Sequence, residues 1–229
     1  PWTCPKWMKV KSLTDLTPLD SWTNGQLNPA YYQDYATYFV KWVQAFNAEG
    51  IDIYAVTPQN EPLNRGNSAS LYMSWEEQRD FVKTALGPKF KAAGLATKIY
   101  AYDHNYDYSD IETEKNYPGK MYEDAAASQY LAGAAYHNYG GNREELLNIH
   151  KAYPEKELLF TETSIGTWNS GRDLSKRLLE DMKEVALGTI NNWCRGVIVW
   201  NLMLDNDRAP NREGGCQTCY GAVDISNSN

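Results

Sequence analysis

The stretch Ile53-Tyr54-Ala55-Val56-Thr57-Pro58-Gln59-Asn60-Glu61-Pro62 sets the reading of the whole chain. Its first half is mostly apolar, rich in aromatic and β-branched residues, and reads with its flanks as a buried strand over 51–57. An amide, a carboxylate and a proline then follow at once. A buried carboxylate is costly unless it is paired, hydrogen-bonded or in use. A salt bridge at a strand end would account for Glu61 taken alone. A second such carboxylate elsewhere would change that.

Working outward, the chain alternates between two periods. Asn28-Pro29 starts a helix with an amide cap and a first-turn proline, and Tyr35, Phe39, Trp42, Val43 and Phe46 follow at helical spacing until Gly50. Ser74 and Glu77 make a capping box for a helix carrying Phe81, Val82, Leu86 and Phe90 as far as Gly94. A strand is expected over 98–104, a short helix around 122–130, and a strand over 133–138. Asn142 and Glu145 read as a second capping box, for a helix reaching Tyr153. The run 157–162 is a strand, Leu174, Leu178, Met182 and Val185 mark a longer helix, and 195–201 is the last strand. Such alternation predicts parallel βαβ units with right-handed crossovers. No glycine-rich phosphate turn is present, which favours a (β/α)8 TIM barrel over a doubly wound sheet.

Polar residues collect where these strands end: Gln59-Asn60-Glu61, Asp103-His104-Asn105, His137-Asn138-Tyr139, Thr161-Glu162-Thr163 and Trp200-Asn201. Barrel enzymes carry their active groups on that edge. Glu162, closing the apolar Leu158-Leu159-Phe160, repeats the logic of Glu61. Two carboxylates so placed point to glycoside hydrolysis with retention, one as nucleophile and one as acid/base. On this reading Glu162 is ionised and attacks the anomeric carbon. Its charge would keep Glu61 protonated, ready to donate to the leaving oxygen and later to activate water.

Composition narrows the class. Lys and Arg number 22 against 29 Asp and Glu, a net charge of −7. With no basic cluster, nucleic acid is excluded as a partner. No apolar run approaches a membrane span. Eight Trp and 17 Tyr fit a large core, or sugar stacking as well. Cys216 and Cys219 have zinc or redox spacing, yet His104, His137 and His150 all lie far upstream. A loop disulfide or two free thiols fits better than a metal site. Cys194 reads as a small buried residue at a helix end.

Five motifs carry a family resemblance: Pro1-Trp2-Thr3-Cys4-Pro5-Lys6-Trp7-Met8-Lys9, Ala55 to Pro62, His137-Asn138-Tyr139, Phe160-Thr161-Glu162-Thr163 and Val199-Trp200-Asn201-Leu202. In this order they resemble glycoside hydrolase family 30, which includes glucosylceramidases, β-1,6-glucanases and xylanases. The resemblance implies a cofactor-free, metal-free retaining hydrolase with Glu61 as acid/base and Glu162 as nucleophile. It implies that Asn60 binds the sugar 2-hydroxyl, that Tyr139 touches Glu162, that His137 lines the site, and that Trp2 and Trp200 wall the glucose pocket. Asn138 departs from the glucosylceramidase pattern. Leu63 to Ser68, with Asn211 to Tyr220, is most similar to the bacterial β-1,6-glucanase subfamily.

The same resemblance implies an incomplete barrel. Residues 1–229 would be its C-terminal five-eighths, strands four to eight, without the first three strands or the flanking β-sandwich. The piece alone is then expected to be poorly soluble and inactive. The full-length parent is expected to be a monomer, secreted, periplasmic or on the cell surface, acting on β-glucan. The other readings are a glucosylceramidase or xylanase of the same family, a carbohydrate-binding protein without catalysis, and a zinc enzyme using Cys216 and Cys219.

Overall fold

A computed structural model describes residues 1–211 and 214–226. Its centre is a sheet of five strands: β1 (Ala55–Val56), β2 (Lys98–Asn105), β3 (Leu131–His137), β4 (Glu157–Glu162) and β5 (Cys194–Val197). Every pairing is parallel, and the spatial order follows the chain order without reversal. A doubly wound sheet reverses its strand order at a switch point, whereas a barrel does not. The sheet is the barrel arc expected from the alternation.

The edges of the arc differ from expectation. Only Ala55 and Val56 form the first strand, rather than 51–57. The amides of Glu49, Gly50 and Ile51 turn back to the carbonyls of Phe46 and Asn47, so the preceding helix claims those residues. The last strand stops at Val197 rather than 201. Hydrogen bonds nevertheless continue from Ile198 N to Phe160 O (2.8 Å) and from Trp200 N to Thr163 O (2.7 Å). Cys194 is buried as expected, but it opens this strand instead of closing a helix.

The helical layer follows its caps. Asn28 Oδ1 accepts from Ala30 N at 3.0 Å before a 3₁₀ turn, Pro29–Tyr31, and the helix Tyr32–Ala48. The Ser74–Glu77 box closes reciprocally, with Ser74 N donating to Glu77 Oε2 at 2.8 Å. Residues Trp75–Phe81, a π turn Val82–Leu86 and Gly87–Ala92 continue from it. The Asn142–Glu145 box is only half made. Asn142 Oδ1 accepts from Glu144 N at 2.9 Å, while Glu145 turns inward to take the Tyr108 hydroxyl at 2.6 Å. The 122–130 helix resolves into Tyr117–Glu123 and Ala125–Ser128. The late helix runs through Leu174–Glu180, a π turn Asp181–Ala186 and Leu187–Ile190. Of its four apolar markers only Val185 is buried; Leu174, Leu178 and Met182 are exposed. No helix among the described residues is long and apolar enough to cross a membrane.

Tyrosines fill much of the space between sheet and helices. Tyr102 packs against Tyr108, Tyr117 and Tyr136 with ring centroids 5.0, 5.0 and 5.5 Å apart. Its strand is irregular there. Tyr102 and Asp103 have φ of 74° and 73°, and the pairing with β3 slips between Tyr102 and His104. Successive side chains thereby reach the same polar end of the sheet, Asp103 against His137 at 3.0 Å and His104 beside Glu61 at 3.9 Å.

Candidate active site

Glu61 lies past its strand rather than at its end, in a turn tied to the neighbouring strand. Its amide donates to Asp103 O at 2.9 Å, and Asn60 N donates to Pro1 O at 2.7 Å. Glu61 itself has φ of 45°. Pro62 therefore does not terminate strand pairing, which has already ended at Val56. Thr57 and Thr161 donate to Asp103 at 2.6 Å each, on Oδ2 and Oδ1, and bind the β1 and β4 edges to β2.

The carboxylate of Glu61 is 6% exposed and surrounded by donors. Oε1 faces His137 Nδ1 at 3.3 Å and His104 Nε2 at 3.9 Å, and Oε2 accepts from Asn64 Nδ2 at 2.9 Å and from Asn67 Nδ2. Burial pushes its pKa up, but the His137 hydrogen bond, the histidine charges and Asn64 outweigh it and hold the group at about 2. His137 is pinned from both sides, its Nε2 lying 3.0 Å from Asp103 Oδ1. Burial favours neutral imidazole, yet Asp103 and Glu61 overcome this and raise it to about 10. His104 has no such pairing, and burial takes it down to about 4.

Glu162 ends β4 with a single side-chain donor among the described residues, the Tyr139 hydroxyl at 3.0 Å, which also lies 3.0 Å from Ser164 Oγ. Burial raises Glu162 to about 7, helped by the charge of Glu61 and opposed by His137. The order of acidities is the reverse of the sequence expectation. Glu61 takes the proton less readily because His137, itself positive, and two asparagines stabilise its anion. Carboxylate oxygens of Glu61 and Glu162 and a ring nitrogen of His137 all lie within 4.8 Å of one another. That triad is the only group close enough to hold a metal among the described residues. A protonated imidazole, bonded at both nitrogens, offers no lone pair to one.

Above the carboxylates opens a cleft of about 840 Å³, lined by Trp2, Glu61, Tyr139, Glu162, Trp168 and Trp200 among others. Trp2 and Trp200 meet as expected, centroids 5.1 Å apart and planes at 47°. Asn60 and His137 do not line it: both are buried beneath, at 8% and 1% exposure. Asn60 Nδ2 has no hydrogen-bond partner among the described residues. Cys216 and Cys219 form a disulfide on the cleft wall, which removes both thiols from any zinc site. Arg212 and Glu213, within the second stretch used for the subfamily reading, lie outside the described residues. Sequence reasoning did not single out Asn64, Asn67, Ser164 or Trp168. The only signal for the asparagines was their nearness to Glu61.

A parallel barrel arc with paired glutamates under tryptophan walls is the arrangement of a sugar-cleaving enzyme. The model of the glycosyl hydrolase family 30 TIM-barrel domain matches residues 1–218, and the chain belongs to that family. Over its whole length it superposes on half of a solved structure described as the endo-beta1,6-glucanase BT3312, with 91% identity and a TM-score of 0.98. The endo-1,6-beta-D-glucanase BGN16.3 of Trichoderma harzianum is 36% identical over 99% of the chain and 45% of its own length. An endo-1,6-beta-D-glucanase of Neurospora crassa is 34% identical over 98% of the chain and 44% of its own length. The chain thus spans about half the length of these relatives.

Proposed function

We propose that this chain is the catalytic part of an endo-β-1,6-glucanase that cleaves with retention, Glu61 serving as acid/base and Glu162 as nucleophile. The observation that carries the mechanism is the approach of the two carboxylates to within 4.8 Å at the mouth of the barrel arc. Retaining enzymes hold their carboxyl groups about 5–5.5 Å apart, too close for a water to sit between them. The linkage rests on the likeness to three endo-β-1,6-glucanases.

In the reaction, Trp2 and Trp200 stack the glucosyl ring and Glu162 attacks its anomeric carbon. Asn60, buried just beneath the cleft with an unspent amide donor, is the group to hold the neighbouring hydroxyl once the sugar settles onto the cleft floor. Glu61 gives a proton to the leaving oxygen. His137, 3.3 Å from Glu61 and bonded to Asp103, stabilises the Glu61 anion left behind when that proton departs. Glu61 then activates the water that releases the sugar.

The acidities favour a second reading, with Glu162 as the acid and Glu61 as the nucleophile. Trapping the full-length protein with a 2-deoxy-2-fluoroglucoside and mapping the labelled peptide separates the two. A label on Glu162 supports the first and a label on Glu61 the second. Rates on pustulan, glucosylceramide and glucuronoxylan, side by side, test the linkage, and preference for either of the last two would sink it. We also infer that the parent is a monomer acting outside the cytoplasm, secreted, periplasmic or at the cell surface. A polymeric substrate and a disulfide support that location. Recovery from cytosol alone, or as a larger species in light scattering, would contradict it.

A further inference from the structure

The hydrogen bonds on Glu61 divide between its two oxygens, and the mechanism above uses only one side. Oε1 faces His137 and His104, both buried and neither lining the cleft. Oε2 faces Asn64 and Asn67, both half-buried and both lining it. Oε2 is therefore the oxygen on the substrate side. A proton carried there needs an acceptor, yet two N–H groups point at it. Asn64 cannot reverse, because its Oδ1 is committed to Gly66 N at 3.0 Å. Asn67 is the amide left to make a half-turn and present Oδ1 instead, since a carboxamide offers a donor and an acceptor on nearly the same shape.

We propose that Asn64 and Asn67 are positioning residues that set the proton affinity of Glu61, Asn64 as a fixed donor and Asn67 as an amide that turns with the proton. This rests on Glu61 being the acid/base. While Glu61 is ionised, both amides donate to it. When Glu61 is protonated, Asn67 accepts the hydroxyl and holds it beside the cleft until the leaving oxygen takes it. Among the described residues the other titratable groups around Glu61 are His137 and His104 at Oε1, Asp103 behind His137, Tyr102 on the same strand, Glu162 and Tyr139 across the cleft, and Arg208 on its wall. Replacing Asn64 or Asn67 by Ala changes none of those charges.

The test is the pH dependence of kcat/KM for full-length protein on a soluble β-1,6-gluco-oligosaccharide. The reactive form has Glu61 protonated and Glu162 ionised; because Glu61 is the stronger acid of the pair, that form is the minority one, and the limb on the acid side of the profile follows the pKa of Glu61. Losing a donor raises that pKa. Asn64→Ala should carry the acid limb upward by about one pH unit, and Asn67→Ala by less, because Asn67 also serves the protonated form. Asn67→Asp keeps the shape, adds a like charge and should carry it further. An acid limb unmoved in Asn64→Ala and Asn67→Asp overturns the inference while leaving Glu61 in its role. Normal activity in Glu61→Gln overturns the underlying reading instead.

Discussion

Glu61 and Glu162 sit at neighbouring points of one sheet edge, with 6% and 9% exposure, and yet titrate in opposite directions. Burial is therefore not what separates them. Among the described residues, Glu61 collects His137 and two asparagines, while Glu162 has only Tyr139. Desolvation raises both, and the number and charge of donors decides which rise is reversed. Donors thus mark which glutamate a fold is built to keep as an anion in the empty site.

The largest effects come from removing either carboxylate. Glu61→Gln and Glu162→Gln in the full-length protein should each lower turnover of pustulan by about 10³-fold or more. Azide should restore only Glu61→Gln, on an aryl glucoside with a good leaving group. Wild-type rates in either variant would remove that residue from the chemistry.

Next in size is His137→Phe, which strips Glu61 of its charged donor and leaves Asp103 unpaired. Breaking a buried pair costs about 3–5 kcal/mol, read as a lower melting temperature, and kcat should fall by about 10²-fold. Tyr139→Phe acts on the other carboxylate alone. Glu162 must be ionised to attack, and Tyr139 is the donor that stabilises that anion. Losing the donor raises the pKa of Glu162, and since Glu162 is the weaker acid of the pair the basic limb of kcat/KM should move up by about one unit. A limb that stays put would mean Tyr139 does not stabilise the Glu162 anion.

The same contrast appears in stability. Glu162, raised from 4.5 to about 7, favours the folded state below pH 4.5 and loses that contribution as pH rises through about 7. Glu61, lowered from 4.5 to about 2, contributes above pH 4.5 and loses it as pH falls through about 2. Glu162→Gln should therefore raise the melting temperature at pH 8 and leave it unchanged at pH 4. The smallest effect belongs to the disulfide. Cys216→Ser with Cys219→Ser opens a very short loop, and should cost at most about 2 kcal/mol while leaving both pH limbs in place.

Much of this was legible in the residues. Hydrophobic alternation gave five strands in the right order because each is buried against helices, and the middle three matched closely. The edge strands were overextended because Ile51 and Gly50 serve a helix end, which periodicity does not reveal. Glu61, Glu162, Tyr139, Trp2 and Trp200 assembled because strand ends of a parallel sheet share one edge. His137, expected to line the cleft, lies below it because its ring is drawn down between Asp103 and Glu61. The acidities were misjudged because the argument from two like charges leaves out neutral donors and the imidazolium, which arrive from other strands and loops. Leu174 and Leu178 show the opposite failure, apolar at helical spacing and still exposed.

The slipped pairing at Tyr102 and Asp103 has a consequence for moving this chemistry elsewhere. Two successive non-glycine residues in the left-handed region cost about 1–2 kcal/mol each, a strain the surrounding tyrosines and threonines hold in place. An ideal strand would send Asp103 and His104 to opposite faces and lose the anchor beneath His137. Transplanting the glutamates, the histidine and the tryptophans onto a regular barrel would copy the inventory without its register. The heritable unit of this site is a backbone irregularity together with the side chains it aims.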